Sequence, residues 1–170
     1  MKYNKTLNKV INRTANEEGR RFSTEVAKNV RKEYNIKSSE IKSKISIFKA
    51  SGDNHRFELT ISSPRLDLAR FVTSTRTKKV WINRGGKRYK AKRKVVRVKV
   101  KRGKQKILKQ GFMVNSFLFK RKGESRMPIK KLSTISITDM FRKDIIDKGF
   151  EKVKENYPRT LERNLLFYLR

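Results

Sequence analysis

The chain has 170 residues and a formal charge of +32, from 47 Lys and Arg against 15 Asp and Glu. Apolar residues make up 35% and charged residues 36%, enough apolar material for a single core, while the surplus charge draws the molecule toward polyanions. Cysteine is absent, which excludes disulfides, thiol catalysis and zinc-thiolate sites, and no apolar run approaches the roughly 18 residues that suggest a membrane span. The opening residues Met1-Lys2-Tyr3-Asn4-Lys5 lack the apolar stretch of a signal peptide, so the expectation is a protein kept inside the cell, or inside something assembled there, with no membrane partner.

From Tyr3 to Tyr34 the sequence reads as one long helix. Leu7, Ile11, Ala15, Phe22, Val26 and Val30 fall four or seven apart and form a slowly drifting apolar stripe. Gly19 is its weak point, and a straight helix of that length spans roughly 45 Å, more than a small domain needs. The helix is therefore expected either to break near Gly19 or, as the favoured reading, to pack part of its stripe on another chain. Ser38 and Ser39 read as the cap of a short turn through Ile41. Ile45–Ala50 and Arg56–Ser62 alternate like strands about the turn residues Ser51-Gly52-Asp53-Asn54, which predicts a hairpin. After Pro64, residues Leu66, Leu68, Phe71 and Val72 form a short core-facing segment.

The stretch from Leu68 to Gly123 holds 21 Lys and Arg and no Asp or Glu. Val80-Trp81-Ile82 precedes a turn at Gly85-Gly86, and Trp81, between two aliphatics, is expected in the core. Tyr89–Lys94 is so charged that it reads as an exposed loop or strand end. Val96, Val98 and Val100 alternate with Arg97, Lys99 and Lys101, predicting a strand with one core face and one cationic face. Gly103 ends it, and Gly111–Phe119 reads as the next, more buried strand. Ser136 and Thr138 are candidate helix caps, and Phe141, Ile145, Val153, Tyr157, Leu161, Leu165 and Leu169 recur at multiples of four, interrupted by Gly149 and by Pro158, where a kink or a fresh helix start is expected. The whole is an α+β fold, read as one domain over 1–170. A helix covers 1–35, a mostly antiparallel sheet covers 44–122 with a basic loop at 76–106, and a helical region covers 136–170.

Signals for catalysis are poor. His55 is the sole histidine and sits in a polar turn, which makes it a surface residue. Glu17-Glu18 and Asp144-Asp147 are the carboxylate pairs nearest to a magnesium site, yet a solvated helix face explains them more simply. Arg84-Gly85-Gly86-Lys87 lacks the spacing and hydroxyl of a phosphate-binding P-loop, and no cofactor is implied. The acid-free run is the feature that stands out. Three readings compete for it: contact with nucleic acid, contact with an acidic protein neighbour, and plain solubility. The residues singled out for contact are Arg76, Lys78, Lys79, Arg84, Lys87, Arg88, Lys90, Lys92, Arg93, Lys94, Arg97, Lys99, Lys101, Arg102, Lys104 and Lys106. Trp81 and Tyr89 lie among them and are able to stack on bases, but two aromatics are too few for base recognition. Any nucleic-acid contact should be electrostatic, salt-dependent and indifferent to sequence.

Several segments, collinear over nearly the whole chain, resemble the minor tail protein Z family of tailed bacteriophages and prophages, the tail-completion proteins. They are Leu7-Asn8-Lys9-Val10-Ile11-Asn12-Arg13-Thr14-Ala15, Val30-Arg31-Lys32-Glu33-Tyr34-Asn35-Ile36-Lys37, and Ser63-Pro64-Arg65-Leu66-Asp67-Leu68-Ala69-Arg70-Phe71. Further along come Val96-Arg97-Val98-Lys99-Val100 with Gly111-Phe112-Met113-Val114, and the arginine-rich turn Arg121-Lys122-Gly123-Glu124-Ser125-Arg126-Met127-Pro128-Ile129-Lys130-Lys131-Leu132. Ser133-Thr134-Ile135-Ser136 departs from the Gly-Pro-Ser of related proteins. The resemblance implies a non-enzymatic virion protein of the neck and tail, assembled in the bacterial host cytoplasm. It acts at the head-proximal end of the tail in tail completion and head-tail joining. The implied partners are other neck, tail-terminator and head-connector proteins, further copies in a homo-oligomeric ring such as a hexamer, and genomic double-stranded DNA in the channel. From composition alone, the alternative is a sequence-nonspecific nucleic-acid-binding protein, ribosome-associated or nucleoid-like.

Overall fold

A computed structural model describes residues 2–108, 111–123, 125 and 127–169. Helix α1, Lys2–Glu33, runs unbroken through Gly19. The glycine is there for packing: a Cβ on it would lie 2.3 Å from the Phe57 ring. The break at Gly19, the less favoured of the two readings, is thus absent, and the missing side chain makes room for an aromatic from elsewhere in the fold. Gly19→Ala should lower stability by about 1–3 kcal/mol, read by urea unfolding, although alanine is the better helix former. A gain in stability would show that Phe57 moves aside freely.

The chain divides into two compact units, one of residues 1–32, 36–63 and 137–170, the other of residues 33–35 and 64–136. In the first, α2 (Ser38–Lys42) follows α1. Its N-cap position falls on Lys37 and makes no side-chain bond, so the cap expected from Ser38 and Ser39 is not there. Strands β1 (Ile45–Phe48) and β2 (Glu58–Ile61) form the expected antiparallel hairpin, Ile45 opposite Ile61. One row of asparagines on α1, four residues apart, holds its turn. Asn16 exchanges two 2.9 Å bonds with the backbone of Ala50. Asn12 donates to the Gly52 carbonyl, and its Oδ1 lies 2.7 Å from His55 Nδ1. Asn8 donates to Asp53. His55 is exposed, and its ring is occupied in this clamp.

Helices α3 (Ile137–Met140) and α4 (Lys143–Leu169) complete this unit. Helix α4 lies antiparallel against α1, with Phe22 edge-on to Phe150, Lys152 bonded to Glu25 and Arg163 to Glu17. The Lys152 ammonium, bonded to the Glu25 carboxylate at 2.8 Å, holds that carboxyl below its ordinary range. A Cβ on Gly149 would stand 2.5 Å from Val26, so here too glycine permits close approach. The buried face of α4 runs through Ile145, Gly149, Thr160 and Asn164, not along the apolar series to Leu169. Residues four apart advance about 40° beyond a full turn, so over six steps the series rotates off the core. Leu169 ends 70% exposed. The helix does not restart at Pro158 but continues through it; Pro158 and Lys154, whose carbonyl loses its donor, are both exposed.

The second unit contains β3 (Arg65–Asp67), a one-turn helical segment (Leu68–Phe71), and two long strands, β4 (Val72–Arg84) and β5 (Lys87–Val98). Shorter strands follow: β6 (Lys106–Leu108), β7 (Gly111–Val114), β8 (Phe117–Arg121), β9 (Ile129–Lys131) and β10 (Ser133–Ser136). They form antiparallel sheets in the orders β4-β5-β6, β7-β8-β9 and β10-β3. Gly111–Phe119, expected as one strand, is a hairpin that turns at Asn115 and Ser116, both at positive φ. Asparagine tolerates that left-handed backbone better than most residues, which makes Asn115-Ser116 a turn signal set among apolar neighbours. Val96, Val98 and Leu118 are the centre of the core, enclosed by Leu68, Ala69, Val72, Leu108 and Leu132. Val100 lies beyond the end of β5. The architecture is α+β, as the sequence pattern predicts. Glu124 and Arg126 of the arginine-rich turn lie outside the described residues.

Candidate functional site

The segment read as a basic loop is a β-ribbon. From Ser74 opposite Arg97 to Arg84 opposite Lys87, β4 and β5 pair without interruption. Tyr89–Lys94 is therefore strand, not loop. Charge made it look like a loop, but Val95 and Val96 anchor the strand in the core, and register carries the pairing outward. The closing residues Gly85 and Gly86 take φ of +57° and +76°. Two successive left-handed residues form the turn that matches the twist of a two-residue hairpin, and glycine adopts it without steric cost.

Register sorts the side chains. Directly opposed residues share a face, and faces alternate along each strand. One face carries Lys79 opposite Lys92, Trp81 opposite Lys90 and Asn83 opposite Arg88, so that every pair holds at least one cation. The other carries, among the described side chains, Lys78, then Ala91 and Tyr89, and then Lys87 toward the turn. Arg76, Lys78, Lys79, Lys87, Arg88, Lys90 and Lys92 are all exposed; the side chains of Arg84, Arg93 and Lys94 lie outside the described set.

Trp81 is not in the core. It is 59% exposed, with Lys90 Nζ 5.0 Å and Arg88 Cζ 5.8 Å from its ring centroid. Its aliphatic neighbours suggest burial, but at Trp81 strand β4 pairs with β5 alone among the described strands and the indole stays open to solvent. Among the described side chains, Lys79 opposite Lys92 sets like charges against each other across the strands, which weakens the pairing. Strand β6 pairs only with Val96, Arg97 and Val98, so among the described residues the ribbon is two-stranded from Arg76 outward. Two strands alone are marginal in water.

The remaining predicted contact residues divide. Arg97 is half-buried with its Nε enclosed and without a hydrogen-bond partner, and Lys99 is half-buried, so neither belongs to the open cationic surface. Lys101, Arg102 and Lys104 are exposed at the turn about Gly103, and Lys106 begins β6. That turn is tied down by Arg102 N donating to the Glu33 carbonyl at 2.7 Å and by Lys101 Nζ 5.6 Å from the Tyr34 ring. These four lie at the base of the ribbon, away from its tip.

The carboxylates have structural partners. Glu17 bonds Arg13 and Arg163, Glu18 bonds Arg21 and Thr160, and Asp144 bonds Arg142. Among the described residues no group of three or more His, Cys, Asp or Glu is placed to hold a metal ion, and no helix is long and apolar enough to cross a membrane.

Neither curated proteins nor solved structures yield a match to this chain. The family described as Prophage minor tail protein Z (GPZ) matches residues 3–170, from the first turn of α1 to the end of α4 and including the entire ribbon. A long clamped helix, a second helix packed on it, and a cationic β-ribbon are thus the parts of one phage tail component: the chain belongs to the prophage minor tail protein Z family.

Proposed function

We propose that this minor tail protein completes the tail at its head-proximal end and takes part in joining the tail to the filled head. The observation that carries this reading is the family match over residues 3–170 combined with an acid-free run of 21 cations, eleven of which lie on the two strands of the β-ribbon. The ribbon is the contact for a polyanionic partner at the neck, either genomic DNA in the channel or the acidic surfaces of terminator and connector proteins. Copies of the subunit form a closed ring, in which one surface patch meets a different patch on the next subunit. Leu166, Phe167 and Leu169, all more than half exposed at the end of α4, support such a subunit contact. The family assignment lends no weight to a free ribosome-associated or nucleoid factor.

A particle assay tests the reading. Replacing Lys78, Lys79, Lys87, Arg88, Lys90 and Lys92 with Ser should leave a folded subunit but yield filled heads and separate tails, or particles that lose DNA. Infectious yield should fall at least tenfold. A wild-type yield of joined, infectious particles would remove the ribbon from the joining step. Joined particles formed without the subunit would remove the protein from it.

A further inference from the structure

We propose that the Trp81 face of the ribbon is a binding site for double-stranded nucleic acid, independent of base sequence, with Lys79, Arg88, Lys90 and Lys92 on phosphates and Trp81 at the centre of the contact. This rests on the reading of the ribbon as a polyanion contact and commits it to one face and one partner. The two faces differ in kind. On the Trp81 face all three successive cross-strand pairs carry a cation, whereas on the opposite face, among the described side chains, Ala91 and Tyr89 stand between Lys78 and Lys87. Neither strand carries a carboxylate. A protein surface is a mosaic of both signs, and a partner shaped to one normally answers with some acids of its own. A duplex presents a continuous array of one sign, about one charge per 1.7 Å of axis, and requires no acid in reply.

Shape agrees with charge. Two strands lie about 4.8 Å apart, so a ribbon with its side chains fits a major groove about 12 Å wide. Trp81, held under the cations of Lys90 and Arg88, presents a flat apolar surface to sugar and base edges while its neighbours reach phosphate. Bound counter-charge also removes the repulsion between Lys79 and Lys92.

Trp81 is the only tryptophan in the chain, so its fluorescence reports on this face alone. The full-length protein is titrated with a mixed-sequence 20-base-pair DNA duplex over a series of salt concentrations. The expected result is a saturable change in Trp81 emission whose midpoint coincides with binding measured by anisotropy of labelled DNA. Lys79→Gln, Arg88→Gln, Lys90→Gln and Lys92→Gln together should flatten the slope of log affinity against log salt by about 3 to 4, since each phosphate contact contributes about 0.9. Lys78→Gln with Lys87→Gln, on the other face, should leave the emission change in place and alter the slope by less than half as much.

DNA binding with unchanged Trp81 emission would overturn the proposal, as would equal flattening per substitution by the two sets. So would an emission change with poly-glutamate and none with DNA, which would assign the face to an acidic protein. Should the fourfold variant fail to fold, the wild-type emission titration decides the question. These readouts use purified protein, and head-tail joining is scored in particles, so either reading can fail while the other stands.

Discussion

Replacing Leu118 with Ala should cost about 2–5 kcal/mol, among the largest losses of stability available in this chain. Leu118 is 1% exposed and shares its core with Val96 and Val98, the residues from which β5 extends into the ribbon. Its strand is fixed on both sides. Phe119 pairs with Phe112 and with Lys131, and the Leu118 carbonyl accepts from Leu132 N at 2.8 Å. With the backbone pinned, the site cannot collapse to fill the gap left by a shortened side chain, which places the expected cost away from the lower bound. Urea unfolding should show a lower midpoint at unchanged slope. Leu118→Met, which conserves volume, should cost less than about 1.5 kcal/mol. Equal losses from the two substitutions would show that branching at this site, not volume, sets the stability.

The second large effect concerns a charge between the helices. Glu18 is 2% exposed, and its Oε1 accepts from Arg21 Nη1 at 2.7 Å and from the Thr160 hydroxyl at 2.6 Å. Its Oε2 is buried and has no hydrogen-bond partner. Arg21→Met therefore strands a carboxylate with one hydroxyl for company. Breaking a buried pair costs about 3–5 kcal/mol, and the lower end applies because the Arg21 side chain is 47% exposed and water can partly replace it. Glu18→Met with Arg21→Met removes both charges and should recover most of the loss, since apolar replacements of buried pairs are often neutral. A double-mutant cycle by urea unfolding measures this. A double variant no more stable than Arg21→Met alone would show that the carboxylate itself, through Thr160, holds the helices together.

The parts of this fold that could be read in the sequence are those fixed by local pattern. The first helix, the β1–β2 hairpin and the Gly85-Gly86 turn follow from periodicity and turn chemistry within a few residues. What escaped depends on neighbours distant in the chain. Gly19 and Gly149 look like flaws in their helices until Phe57 and Val26 are set against them. Asn8, Asn12 and Asn16 read as polar surface, although their four-residue spacing could have suggested one face with one task. The candidate site was legible as a charge run but not as an object. Trp81 was drawn toward the core by Val80 and Ile82, and only the register that opposes it to Lys90 places it among cations. The cationic run also had to be trimmed. Arg97 looks like its neighbours in sequence, but it falls where β5 is still covered.

The ribbon has another property that follows from its place at the margin of its sheet. Strand β4 has β5 on one side and, among the described residues, no strand on the other, and beyond β6 the outer side of β5 is open as well. Long open edges are templates for adding strands from other copies, and a subunit made in many copies before assembly is exposed to that hazard. Lysine and arginine along both margins work against it, because any second ribbon that approaches brings the same charge. The substitutions that neutralise the ribbon should accordingly make the free subunit more prone to aggregate at low salt. The cations that suit the ribbon to a polyanion also keep its two edges apart from those of its own kind.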